Sequence, residues 1–177
     1  MTRLKRAPGP GDHFQGPRAA PVILVEYGDY QCPYCGQAYW EVKKLQQGLG
    51  TRLGFVFRNF PLTQAHPLAL QAAEAAEAAA VQDRFWEMHD LLYENQDALE
   101  MPVLVSHAEA LSLDMDRFRA DLASHRFEER VRRDFMDGAR SGVNGTPTFF
   151  ANGYRHDGPF SAAALLEALA GGLDASR

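Results

Sequence analysis

Val22-Ile23-Leu24-Val25-Glu26-Tyr27-Gly28-Asp29-Tyr30-Gln31-Cys32-Pro33-Tyr34-Cys35 is the stretch on which the fold turns. Val22 to Val25 is a continuous apolar run rich in β-branched residues, the pattern of a strand buried on both faces. Gly28-Asp29 ends it. A helix is then expected from Cys32, with Pro33 at its first position, where the missing N–H would have had no intrahelical partner anyway. Ala38, Val42 and Leu45 space its buried stripe, and Gly48 and Gly50 stop it. Leu53 to Phe57 alternates Leu53, Phe55 and Phe57 on one face and reads as a second strand. Strand, helix, strand is a crossover unit, so the two strands should run parallel.

The chain has only 2 cysteines, and both lie in Cys32-Pro33-Tyr34-Cys35. At spacing i, i+3 on the first turn of a helix, they face the same side. The free N–H groups and partial positive charge of a helix N-terminus stabilise a thiolate at Cys32. Cys32 is therefore expected to be the exposed nucleophile. Cys35, one turn in, is expected to be the shielded resolving thiol that cleaves the mixed disulfide. The competing readings are a static disulfide or half of a zinc site. Structural zinc takes four Cys or His ligands, and there is no second cysteine pair or close histidine pair to complete a set. No metal and no cofactor is expected.

Two further features bear on this site. Glu26 stands six residues before Cys32, where a carboxylate could project beneath the helix, take a raised pKa and carry the Cys35 proton; an ordinary exposed strand-end Glu is the alternative. Thr146-Pro147 precedes an apolar strand, where proline is otherwise unwelcome, and suggests a turn or a cis peptide.

Between about Pro67 and Ser141 no strand is expected. The segments from His66-Pro67 to Val81, Arg84 to Tyr93, Pro102 to Leu111, Met115 onward with Asp114 as N-cap, and Phe127 to Ala139 read as five helices. Arg130, Arg132 and Arg133 read as a solvated helix face. Thr148 to Ala151 is a strand, Asn152-Gly153 a two-residue type I′ turn, and Tyr154 to Asp157 the return strand. A last helix starts at Ser161 and is expected to end at Gly171-Gly172. Residues 1–20, rich in Gly and Pro, read as a flexible tail. Basic at Arg3, Lys5 and Arg6 but with no apolar stretch following, this tail gives no export signal, and the cytoplasm is the expected compartment, or the periplasm or exterior if a leader has been trimmed from the sequence.

With 46% hydrophobic and 23% charged residues, the composition excludes a disordered or fibrous chain. No apolar run is long enough to cross a membrane. A net charge of -5 leaves no electrostatic footprint for nucleic acid.

Together, these residues resemble the DsbA-like family of the thioredoxin superfamily. The resemblance is carried by Val25 to Cys35, by Phe57-Arg58-Asn59-Phe60-Pro61-Leu62, by Phe85-Trp86-Glu87-Met88-His89-Asp90 and by Gly142 to Phe150. It implies an α/β chain: a thioredoxin-like core of residues 21–65 and 142–177 with a helical domain, 66–141, inserted between the second and third core strands. It implies thiol–disulfide exchange with protein dithiols or disulfides, regenerated by a redox partner protein or glutathione, in a monomer. By position Cys32 attacks, Cys35 resolves, Glu26 is the buried acid, and Pro33, Tyr34, Thr146 and the cis Pro147 meet the substrate. Strongly oxidising members carry Pro-His between the cysteines. Pro-Tyr here, and Thr before the proline, are closer to reductases and isomerases, so the direction of electron flow stays open. Other classes remain as alternatives: a redox-sensing peptide-binding module, or a glutathione-linked transferase or isomerase, whose DsbA-like members usually replace the active-site pair, so that Cys35 argues against it.

Overall fold

The computed structural model describes residues 2–174, with side chains described through residue 170. The elements run β1 (His13–Gln15), β2 (Val22–Gly28), α1 (Pro33–Leu49), β3 (Leu53–Asn59), α2 (Ala69–Ala80), α3 (Phe85–Glu94), α4 (Met101–Ala110), α5 (Met115–Ala123), α6 (Glu128–Arg140), β4 (Thr148–Ala151), β5 (Tyr154–His156) and α7 (Ala162–Asp174). The five strands form one sheet in the order β1-β3-β2-β4-β5. β2 and β3 pair in parallel, from Val22 opposite Leu53 to Gly28 opposite Asn59. β4 runs antiparallel to β2, setting Phe149 opposite Glu26. All five helices α2 to α6 lie between β3 and β4, as expected.

The pleat sends alternate residues of β2 to opposite faces. Val22 and Leu24, with Phe55, Phe57 and Phe149, join one continuous apolar core with α1, α7 and the helices between the strands. Val25 and Tyr27, with Val56, Phe60, Val143 and Phe150, form a smaller core on the other face. There α6 approaches closely at Gly138, where an added Cβ would sit 2.8 Å from the Phe60 ring and 2.9 Å from the Tyr27 ring. Phe135 on the same helix stacks on Phe60, with ring centroids 4.2 Å apart.

Three expectations change. Residues 2–20 do not behave as a free tail. Leu4 N donates to Gly153 O and Arg155 N to Thr2 O on the β5 edge, and β1 pairs with β3 at the opposite edge. Helix α7 continues through Gly171-Gly172 to Asp174, since glycine costs a helix only about 1 kcal/mol and does not by itself end one. Arg130 is not solvated like Arg132 and Arg133. It lies 3.5 Å from Glu77 and 3.9 Å from Asp134, inside a charged cluster beneath α6. The turn chemistry holds: Asn152 and Gly153 both have positive φ, as a type I′ turn requires.

Candidate active site

The site is built where β2 hands over to α1. Cys32 is the extended N-cap of α1 and Pro33 follows it at the start of the helix. Both cysteines are free thiols. Cys32 keeps 3% exposure and Cys35 none, so the contrast in access is smaller than expected. The reason is the loop before β4, which lies over Cys32. The Thr146-Pro147 peptide is cis, and Thr146 O sits 3.5 Å from Cys32 Sγ. Tyr34, by contrast, is 62% exposed beside them.

The electrostatic contrast between the two sulfurs is large. Cys32 is pulled down to about 5, first by the hydrogen bond from the Cys35 thiol, then by the Thr146 side chain and by the backbone N–H groups of Cys35 and Tyr34, against the cost of burial. As a thiol, Cys32 can donate to the Thr146 carbonyl; as a thiolate it needs donors. The Thr146 hydroxyl is buried without another partner and is free to serve. Burial pushes Cys35 well above its ordinary value, and the bond it gives Cys32 and the nearby Glu26 charge push the same way. Its one stabilising contact is Asp29 N, which donates to Cys35 Sγ at 3.5 Å.

Glu26 is buried, not an exposed strand-end residue. Desolvation, with the charge on Cys32 second, raises its pKa to about 8. Its Oε1 has no hydrogen-bond partner. Beside it lies a cavity of about 10 Å³, lined by Gln15, Tyr39, Lys43, Gln46 and His89 among others. That is about the room one water needs.

Several supporting residues escape a reading of the sequence. Asp29 Oδ1 accepts from Gln31 N, while Oδ2 accepts from Leu62 N and pairs with His66 Nδ1, each at 2.8 Å. Gln31 Oε1 accepts from Leu68 N at 2.7 Å. Gln96, in the α3–α4 loop, donates from Nε2 to both Tyr30 O and Cys32 O at 2.9 Å. His89 Nδ1 lies 2.9 Å from the Tyr30 hydroxyl, and burial lowers its pKa well below the ordinary value. His66, His89 and Gln96 reach the site from other elements; the sequence offers the two histidines as possible neighbours of the site but cannot place them, and nothing local marks Gln96. Asp29 and Gln31, in the turn before the cysteines, stand where proximity could have singled them out. Among the described residues no group of three or more His, Cys, Asp or Glu could hold a metal ion.

A family model described as Thioredoxin (Thioredoxin_4) matches residues 9–170. Of solved structures, BdbD from Bacillus subtilis is similar with a TM-score of 0.84 at 23% identity, covering 98% of this chain and 100% of that one. A thioredoxin-like oxidoreductase from Silicibacter pomeroyi has a TM-score of 0.83 at 24% identity, with 94% of each chain covered. Among curated proteins, a Na(+)/H(+) antiporter NhaA 3 from Salinispora tropica is 51% identical over 166 residues, which is 94% of this chain and 25% of that protein. The chain thus spans about a quarter of the length of the curated relatives it matches. Among its described residues no helix is long and apolar enough to cross a membrane.

Proposed function

The chain belongs to the thioredoxin family, and from that premise we propose that it is a thiol–disulfide oxidoreductase exchanging disulfides with protein substrates through Cys32 and Cys35. The observation that carries this reading is the opposed tuning of two sulfurs one helical turn apart, Cys32 down to about 5 and Cys35 up. At neutral pH the attacking sulfur is already a thiolate, while its partner holds its proton until needed.

In the oxidising half-reaction on this protein, the Cys32 thiolate attacks one sulfur of a substrate disulfide. The other substrate sulfur leaves as a thiolate and takes a proton. Cys35 then loses its proton, and its thiolate attacks Cys32 Sγ. The intramolecular disulfide forms and the second substrate sulfur leaves. Glu26 is raised to about 8 partly by the charge on Cys32, and that charge is gone once Cys32 is tied up in the mixed disulfide. The ionised fraction of Glu26 is then the acceptor for the Cys35 proton. A cavity of one-water size beside its unpartnered oxygen supports transfer through water. Pro33 and the exposed Tyr34 face the incoming chain, and Thr146 with the cis Pro147 offers it an extended backbone to pair with. The reverse sequence oxidises a substrate dithiol. The compartment decides which direction runs, because glutathione or a redox partner protein sets the starting state of the pair. We take residues 66–141 as the inserted helical part and 21–65 with 142–177 as the core, of which 175–177 lie outside the described residues; the uninterrupted run of α2 to α6 between β3 and β4 supports this division.

A second reading has one observation in its favour. The match to a quarter of an antiporter fits a thioredoxin-fold segment whose cysteines report redox state within a transport protein. Insulin turnover separates the two. With dithiothreitol as reductant, the protein should precipitate insulin B chains catalytically, and Cys32→Ser should fall to the uncatalysed rate. Stoichiometric oxidation of the pair without turnover would favour the sensor.

A further inference from the structure

Among the polar contacts the helical insertion makes with the redox loop, alongside those of His66, Leu68 N and His89, one side chain is unusually constrained in position. Gln96 Nε2 donates to Tyr30 O and to Cys32 O, both at 2.9 Å. The Cys32 carbonyl is also the first acceptor of α1, taking the N–H of Gly36 at 3.1 Å. With two donors, both its lone pairs are engaged. On its other side, Gln96 Oε1 fills the space where any Cβ at residue 36 would sit. The carboxamide is therefore wedged between the two carbonyls and a glycine of the catalytic helix.

We propose that Gln96 is a positioning residue for Cys32, holding the Tyr30–Cys32 turn and presenting the positive end of its amide to the helix start that carries the reactive sulfur. The inference rests on the proposed redox role of that sulfur. Its physics is that of the helix terminus itself, where donors and partial positive charge favour an anion. If Gln96 is removed, the Cys32 carbonyl keeps one partner and the N-cap loses its tether to the α3–α4 loop. The thiolate then loses part of its stabilisation.

The test is the ultraviolet thiolate titration of Cys32, read directly from absorbance against pH. The neighbouring groups that titrate are Cys35 on the same helix and Glu26 on β2, and neither is altered. Gln96→Leu, which keeps bulk and removes the donors, should raise the Cys32 pKa by about half a unit, the size expected of one partial charge at a helix end. Near pH 5, that would cut the thiolate fraction about twofold. Gln96→Glu, which replaces donors by acceptors, should raise it further. Gly36→Ala leaves Gln96 in the chain but displaces its amide, because the new methyl takes the place of Oε1. It should raise the Cys32 pKa while adding helix propensity. A purely structural role for Gln96 predicts instead that these variants lose stability while the Cys32 pKa stays at its wild-type value. If Gln96→Leu does not fold, Gly36→Ala and Gln96→Glu carry the test. Wild-type Cys32 titration in the variants that fold would overturn the proposal. The titration needs no substrate, so its outcome stands apart from insulin turnover: failed turnover with a shifted pKa removes the enzyme but keeps the role of Gln96.

Discussion

Glu26 faces Phe57 across one ladder and Phe149 across the other, and one of its oxygens has no hydrogen-bond partner. A carboxyl in that setting ties stability to pH. Below about pH 4.5 it is protonated in both the folded and the unfolded chain, and its burial as a neutral acid carries no ionisation cost. Between 4.5 and about 8 the unfolded chain releases the proton while the folded chain keeps it, so stability falls as pH rises. By pH 7 the loss should reach roughly 3 kcal/mol, and above about 8 it should level off. Glu26→Gln removes this dependence. Its unfolding free energy should match wild type near pH 4.5 and exceed it progressively toward pH 8, measured by urea denaturation across that range. The same variant should slow the attack of Cys35 on a mixed disulfide by about 100-fold while sparing the first attack by Cys32. Parallel stability curves would show that Glu26 is already ionised in the folded protein. The two cysteines were legible in the sequence because their chemistry needs only local spacing and a helix start. Glu26 stood open between two readings, since spacing put it beneath α1 but could not bury it. Gln96 was beyond reach, because it arrives from an element distant in the chain; His66 and His89 could be named as possible neighbours of the site but not placed there, and core or surface histidine was the safer reading.

The N-terminal segment shows how an element can hide in a sequence. His13-Phe14-Gln15 is too short to display a period of two, and the Gly and Pro around it read as tail. What orders it is charge. Arg58 on β3 is wholly buried and donates from Nε and Nη2 to the two Asp12 oxygens at 2.9 Å, and from Nη1 to Tyr27 Oη at 2.8 Å and Arg6 O at 3.0 Å. Arg6 in turn bonds Asp12, Asp134 and Asp137, tying the segment to α6. These partners are scattered over some 130 positions, and no single stretch reveals them. Removing one side of a buried ion pair leaves the other charge stranded. Arg58→Met should therefore destabilise the protein by about 3 kcal/mol, or roughly 6–12 °C in melting temperature. Calorimetry that finds the variant as stable as wild type would mean that Met packing makes up for the lost pair. The long amphipathic helices, by contrast, were readable from their spacing, and α5 begins where Asp114 predicted, its side chain accepting from Arg117 N at 3.0 Å.

Across the whole molecule, one apolar core runs from the sheet through α1 and α7 into the helices inserted before β4. The insertion is thus packed as part of the same unit that holds the cysteines, and its side chains complete the setting of the redox loop: Tyr93 and His89 lie in the aromatic cluster around Tyr30, and Gln96 holds its carbonyls. That arrangement explains why pattern alone gave the order of elements but not the site's surroundings. Hydrophobic spacing reports which face of a helix is buried, not which polar group it delivers. The central claim is that Cys32 attacks and Cys35 resolves. Its most direct measurement is mass mapping of covalent adducts after Cys35→Ser and Cys32→Ser are each mixed with an unfolded, disulfide-bearing protein. Cys35→Ser should accumulate a mixed disulfide through Cys32, while Cys32→Ser should form none. An adduct through Cys35, or no adduct with either variant, would contradict the account.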